Sequence, residues 1–473
     1  MLKYSIHIIL GPVLLFLFSY IGVQADMNQE AAYTLGITAW VAYWWVTEAI
    51  PIPVTSLIPM ILFPAFSVLS MDEATNAYSD KLIWLYVGGF IIALALEKWK
   101  LHIRIAKILL VGIGTNLHKI ILGFMIACFV LSMWISNTAT ALMMLPIAES
   151  IISRLKDKTS AGFSKALLLG VAYACSIGGM ATLIGTPTNL VLSGMVEKSF
   201  GVNISFYDWF IFGFPISVVL LFIAWFVLIY VFKPGKLLIS LDEIKIDPLG
   251  YEEKRVLIVF LLVVFGWIFS PLLIKPWLPA VNDTMIALFG ALLLFIMPAR
   301  DRQHKIMDWD TAKNLPWGIV LLFGGGLAIA KAFQESGLAA WFGENLTVLQ
   351  VLPYLVVLLV VSLIVNFLTE VTSNVATASV FMPVMAGVAL AMNVHPFPIL
   401  TVVTLAASCA FMLPVATPPN AIVFGSGHMS MKDMIRVGLW LNIISVILIA
   451  VYVFLVIEPL WNIDMMTYPE SFR

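Results

Sequence analysis

Charge is what this sequence has least of. Asp, Glu, Lys and Arg make up 11% of its 473 residues, against a 61% hydrophobic share, where a soluble domain carries about 25% charged residues. So little charge cannot cover a water-facing surface, and the chain reads as an all-α polytopic membrane protein. A net charge of −1 gives nucleic acid or any other polyelectrolyte no field to follow, so no nucleic-acid partner is expected. Cysteine is scarce as well. Cys128, Cys175 and Cys409 lie in apolar runs without metal-ligand spacing and read as small buried hydrophobes. The six histidines form no metal-ligand pair at helical spacing. A polytopic membrane enzyme needs a nucleophile–base pair or metal ligands at depth; none is visible, so the expectation is a protein that is not an enzyme. A channel gives no reason for the paired elements described next.

What the chain has is long apolar runs. A membrane helix needs about 20 such residues, and eleven candidates run near 6–24, 33–50, 52–69, 82–98, 163–183, 207–232, 254–274, 283–298, 316–332, 397–414 and 433–457. Met1–Ala25 has the outline of a signal peptide, but the run from Ile6 to Val23 is long enough to span, so 1–32 is expected to hold a first transmembrane helix. Two other regions, 119–153 and 350–391, each place a polar motif between two apolar arms. They are expected to be re-entrant hairpins, since irregular backbone at membrane depth survives only where it is buried in protein or lines a wet cavity.

The motifs are Ser136-Asn137-Thr138-Ala139-Thr140-Ala141 before Pro146, and Ser373-Asn374-Val375-Ala376-Thr377-Ala378 before Pro383. Val87-Gly88-Gly89-Phe90 is echoed by Phe323-Gly324-Gly325-Gly326, and Gly185-Thr186-Pro187-Thr188-Asn189 by Ala416-Thr417-Pro418-Pro419-Asn420. With the N-terminus cytoplasmic and the C-terminus outside, 21 of the 26 basic residues fall inside, including Lys156, Lys158, Lys236 and Lys245, as the positive-inside rule asks. That topology opens the two hairpins to opposite sides, the relation expected of an inverted repeat. The repeats are expected over 33–233 and 254–457, joined by a cytoplasmic linker 234–253, with 458–473 as a short outside tail. The stretch 98–118 reads as an amphipathic helix on the cytoplasmic interface, in contact with membrane lipid.

Each Thr-Pro motif interrupts a span, because proline lacks an N–H and clashes with the preceding turn. Broken helices expose N–H groups at a positive dipole end and carbonyls at a negative one. The first kind attracts an anion and the second a small cation, and paired broken helices in two halves mark a transporter's site. Neither motif core contains Lys or Arg, so co-bound cations would balance the anion, and sodium-coupled anion uptake is the expectation. Glu370, three residues before Ser373, is the conspicuous acid of the apolar core. It reads either as a coupling carboxylate for a proton or cation or as a hydrogen-bonded structural group. Glu48 and Glu149 read as interfacial, and Lys331 as snorkelling to the outer interface.

With Thr47-Glu48-Ala49-Ile50-Pro51-Ile52-Pro53-Val54-Thr55 added, these motifs resemble the divalent anion/sodium symporter family, which includes bacterial dicarboxylate carriers and animal citrate, dicarboxylate and sulfate carriers. The likeness covers nearly the whole chain. It implies eleven transmembrane helices, two opposed re-entrant hairpins and a homodimer, with a transport domain that slides past a scaffold as an elevator. It implies one sodium site at Ser132, Ser136, Asn137 and Gly185, and a second at Thr369, Thr372, Asn374 and Ala416. Substrate carboxylates would meet Asn137, Thr138, Thr186, Pro187, Asn374, Val375, Thr417 and Pro418. Val375 departs from the family's second Ser-Asn-Thr and removes one hydroxyl, for which Thr377 or Thr417 is expected to compensate.

The leading expectation is import of a small dianion, a C4-type dicarboxylate (succinate, malate, fumarate), coupled to sodium ions. The alternatives are dicarboxylate exchange with little sodium dependence, and carriage of sulfate or a tricarboxylate. Short loops favour a bacterial inner membrane, although sequons stand at Asn203, Asn282 and Asn345.

Overall fold

A computed structural model of the chain describes residues 2–111, 116–154, 161–235, 248–345 and 350–472. Lys156, Lys158, Lys236, Lys245 and most of the 234–253 linker lie outside the described residues. Among the described residues there is no β-strand. Eight helices among the described residues are long and apolar enough to cross a membrane: Ile6–Gln24, Met71–Lys98, Gly162–Met180, Phe206–Phe232, Tyr251–Ile274, Trp317–Glu335, Asn374–Met392 and Met431–Trp461. Shorter apolar helices include Leu117–Ser132, Asp283–Ile296, Tyr354–Thr369 and Pro396–Ser408.

The apolar run 52–69 corrects one expectation. It forms two short helices, Ile52–Thr55 and Ile58–Ala65, instead of one span. Pro59 supplies no N–H, and its ring excludes the carbonyl four residues back, so the first helix stops at Thr55. The turn is held from outside. Trp45 donates its indole N–H to Ser56 Oγ at 3.1 Å, and the Tyr78 hydroxyl donates to the Ser56 carbonyl.

The glycine landmarks mark close approaches between helices. A Cβ on Gly88 would stand 2.8 Å from the Ala287 Cβ, and one on Gly325 would stand 2.8 Å from the Ser56 carbonyl oxygen. Polar ties hold the ends. Lys98 pairs with Asp308 at 2.6 Å. Arg104, on the helix Leu101–Val111, pairs with Glu253 at 2.8 Å, so this residue of the expected interfacial helix faces protein. At the opposite ends two pairs cross, Lys81 with Glu197 and Lys198 with Asp80 at 3.0 Å. Lys331 pairs with Glu335 on its own helix.

Candidate functional site

The helix Leu117–Ser132 ends at four non-helical residues, and a second helix, Asn137–Arg154, begins beyond them. Ser136 Oγ accepts the Ala139 N–H at 3.1 Å, the side-chain cap that serine supplies at a helix start. Ser132 Oγ donates to Asn137 Oδ1 at 2.5 Å, which turns the asparagine amide back over the break. The second motif repeats this plan. Tyr354–Thr369 ends, Asn374–Met392 begins, and Thr369 Oγ1 lies 2.7 Å from Asn374 Oδ1 and 2.9 Å from the Ala407 carbonyl oxygen. Ser373 makes no side-chain cap.

Two more helices are broken beside these tips. Ala161–Met180 is followed by Pro187–Phe200, and Pro396–Ser408 by Pro418–Gly425. Each second piece starts on proline, which has no N–H to waste in the first turn. Asn189 donates its amide to the Thr182 carbonyl at 2.7 Å and the Gly179 carbonyl at 3.1 Å. Asn420 donates to the Ala410 and Leu413 carbonyls, both at 3.1 Å. The two breaks also touch, through Thr188 Oγ1 and Ser408 Oγ at 2.8 Å.

Glu370 serves the second break. Its carboxylate accepts the N–H groups of Phe411, Met412 and Leu413 at 2.7, 2.8 and 2.9 Å, and the Asn442 amide at 2.7 Å. Four donors saturate it, and it is buried outside the cavity wall. Of its two expected readings, the geometry favours the hydrogen-bonded structural one. The first break has a neutral counterpart, with the Thr182 hydroxyl donating to the Met133 carbonyl at 2.5 Å.

Both tips and both breaks line one cavity of about 900 Å³. All eight expected substrate residues line it: Asn137, Thr138, Thr186, Pro187, Asn374, Val375, Thr417 and Pro418. So do Ser136, Gly185, Thr372 and Ala416 of the expected sodium sets, whereas Ser132 and Thr369 stand behind, bonded to Asn137 and Asn374. Ser136, Ser373, Thr186 and Thr417 each precede the first residue of a helix, so four helix N-termini meet at this cavity. Of the two hydroxyls expected to compensate for Val375, Thr417 lines the cavity and Thr377 does not. Thr377 is buried away from the cavity, with Oγ1 2.5 Å from Thr372 Oγ1 and 3.0 Å from the Ser373 carbonyl.

Oxygen atoms gather where sodium is expected. A Cβ built on Gly179 would lie 2.9 Å from Asn137 Oδ1 and 3.1 Å from the Gly185 carbonyl oxygen, so only glycine leaves the space between those two acceptors clear. Gly179, the asparagine clamps and the cavity wall at Tyr86 and Trp134 were not expected. The asparagines had a signal, since each follows the helix-opening proline by two residues. Glu48 is a second correction. It does end the helix Gln29–Thr47, but it also lines the cavity.

Comparison with known proteins agrees over almost the whole chain. The family described as a sodium:sulfate symporter transmembrane region matches residues 2–463. The sodium-dependent dicarboxylate transporter SdcS of Staphylococcus saprophyticus is 45% identical over 480 residues, covering 97% of this chain and 92% of that protein. SdcS of Staphylococcus aureus is 44% identical over 481 residues, with the same coverage. Among solved structures, the YdaH transporter of Alcanivorax borkumensis superposes with a TM-score of 0.58 at 12% identity, covering 83% of this chain and 88% of its own. MtrF of Neisseria gonorrhoeae gives 0.56 at 13% identity, covering 84% and 86%. At such identities these two share the fold alone.

Proposed function

This chain belongs to the sodium:sulfate symporter family, and on that premise we propose that it imports C4-type dicarboxylates together with sodium ions. One observation carries the reading: four helix N-termini meet at a cavity that, among the described residues, no Lys or Arg lines. Each N-terminus is equivalent to roughly half a positive charge, so four supply about two, the match for a dianion. The named sodium-dependent dicarboxylate relatives support the cargo and its partner ion.

In this reading Asn137, Thr138 and Thr186 hold one carboxylate, and Asn374 and Thr417 the other. Pro187 and Pro418 open the short helices behind them, and Val375 presents a methyl where Thr138 presents a hydroxyl. One sodium ion lies among Ser132, Ser136, Asn137 and Gly185, and the second among Thr369, Thr372, Asn374 and Ala416. The helix C-terminal ends nearby add carbonyl oxygens with the right sign for a cation. Sodium is cargo here, since it arrives and leaves with the dianion.

The tips are read as re-entrant hairpins of opposite orientation within eleven transmembrane elements. A 16-residue arm such as Leu117–Ser132 reaches about 24 Å, short of a bilayer core of about 30 Å. The Ser132–Asn137 and Thr369–Asn374 contacts, with the Asn189 and Asn420 clamps, support an inverted repeat over 33–233 and 254–457. The N-terminus is placed in the cytoplasm, so the cavity, walled by Thr47, Glu48 and Gly318, faces inward. An elevator movement of the tips and breaks against a dimeric scaffold would carry the site across.

The test is uptake of labelled succinate into proteoliposomes, with and without an inward sodium gradient, in competition with citrate and sulfate. Sodium-stimulated uptake blocked by malate and fumarate is expected. Uptake indifferent to sodium, or blocked by sulfate alone, would overturn the proposal.

A further inference from the structure

Among the described residues that line the cavity only one is of a charged type, and it is acidic: Glu48. Local physical chemistry works against it three times. It sits one residue past the helix Gln29–Thr47 with φ 47° and ψ 40°, a left-handed conformation that a residue with a Cβ rarely takes. An acidic side chain at a helix C-terminus opposes the dipole, which favours cations there. Its side chain also makes no hydrogen bond or ion pair within the described residues, although it is exposed. Rule-breaking of this kind concentrates at functional positions. A dianion's cavity is the last place that packing alone would put an acidic side chain.

We propose that Glu48 recruits sodium to the cavity through its charge. The inference rests on the sodium–dicarboxylate reading of the cavity and adds a residue outside the expected sodium sets that sets the apparent affinity for sodium. Glu48 belongs to a wall built by other helices than those carrying the tips and breaks, so it acts through its field and is not a fixed ligand. A charge on a low-dielectric wall focuses that field inside the cavity, raising the local cation concentration and lowering that of a free dianion. No lysine or arginine lining the cavity cancels the effect.

The experiment is thermal-shift titration of the purified full-length protein with sodium chloride. Choline chloride holds ionic strength constant, with and without succinate, for wild type, Glu48→Gln, Glu48→Asp and Glu48→Gly. Half-saturation by sodium is expected to weaken about three- to tenfold in the Gln and Gly variants, the range one half-screened unit charge commands, and to stay near wild type in the Asp variant. Raising choline chloride to about 0.5 M should narrow the gap, because the field is screened within a few ångströms there. The Gly variant relieves the left-handed backbone, so without sodium it should melt no lower than wild type, which separates folding from binding. An unchanged sodium half-saturation in the Gly and Gln variants would overturn the role of Glu48 while leaving the transport reading intact. A wild-type protein whose stabilisation by succinate ignores sodium would overturn both.

Discussion

Asn189 and Asn420 occupy matched places, each giving both N–H groups of its amide to two carbonyls of the helix break ahead of it. Both are fully buried. Each therefore seals the end of one helix while setting the angle of the next. Replacing either with Ala leaves two buried carbonyls unpaired, at a cost of about 2–4 kcal/mol. Asn189→Ala and Asn420→Ala should each melt several degrees lower and lose most succinate uptake, read by thermal shift and proteoliposome flux.

Glu370→Gln is the sharper test of that residue. A glutamine offers one acceptor oxygen where the carboxylate serves four donors, and its amide nitrogen would face N–H groups. The variant should lose about 3 kcal/mol or more and fail in both net uptake and counterflow. A proton-coupling carboxylate would behave differently, since its Gln variant stays folded and keeps counterflow.

Two adjacent glycines should part company. In Gly178→Ala the new methyl meets the Phe129 backbone, 2.4 Å from its carbonyl oxygen, so the helices must separate and the fold suffers. In Gly179→Ala it meets the Asn137 amide and the Gly185 carbonyl, while alanine gains about 1 kcal/mol of helix preference over glycine. The expected signature is a folded protein whose sodium half-saturation is at least about tenfold weaker, the effect of filling the space between Asn137 Oδ1 and the Gly185 carbonyl oxygen with a methyl group.

Val375→Thr restores a hydroxyl beside Asn374. A hydrogen bond to a charged group is worth on the order of 1.5–3 kcal/mol, and Thr377, bonded to its own turn, does not supply it. The ranking of succinate, citrate and sulfate as competitors should change by about tenfold, measured by inhibition of labelled uptake. An unchanged ranking would remove this position from selectivity.

Acid reads a different part of the molecule. Lys98 and the Thr311 N–H hold the Asp308 carboxylate down from the ordinary 3.8 to about 2. A depressed folded-state value means stability that is present above the ordinary value and lost as pH falls from about 4 towards 2. Asp308→Asn lacks that contribution. Its melting temperature should lie below wild type at pH 5, and the two should converge near pH 2.

The polar interruptions of the sequence were legible because hydroxyls, amides and prolines are rare in apolar runs, and their repetition at matched spacing tied them together. Direction was less legible. Glu370 stands three residues from Ser373, on the approach to the site, yet three orphan N–H groups at the second break draw its carboxylate the other way. Thr377 shares a helix turn with Ser373, and its hydroxyl returns to that carbonyl, as threonines in helices do. The 52–69 run is apolar apart from Thr55, Ser56 and Ser67, so its mean hydropathy masks the break that Pro59 imposes. Glu48 looked interfacial because nothing local tells that the cavity reaches the end of its helix.

In the proposed reading the positive charge that greets the anion belongs to the main chain, at the starts of four helices. Peptide dipoles cannot be deleted by exchanging a side chain, so no point mutation short of unfolding a helix removes the attraction. What mutation can reach is the rim: a methyl for a hydroxyl at Val375, a glycine or a carboxylate at Glu48. Such a carrier can drift towards new cargo in small steps while its affinity for anions as a class stays intact.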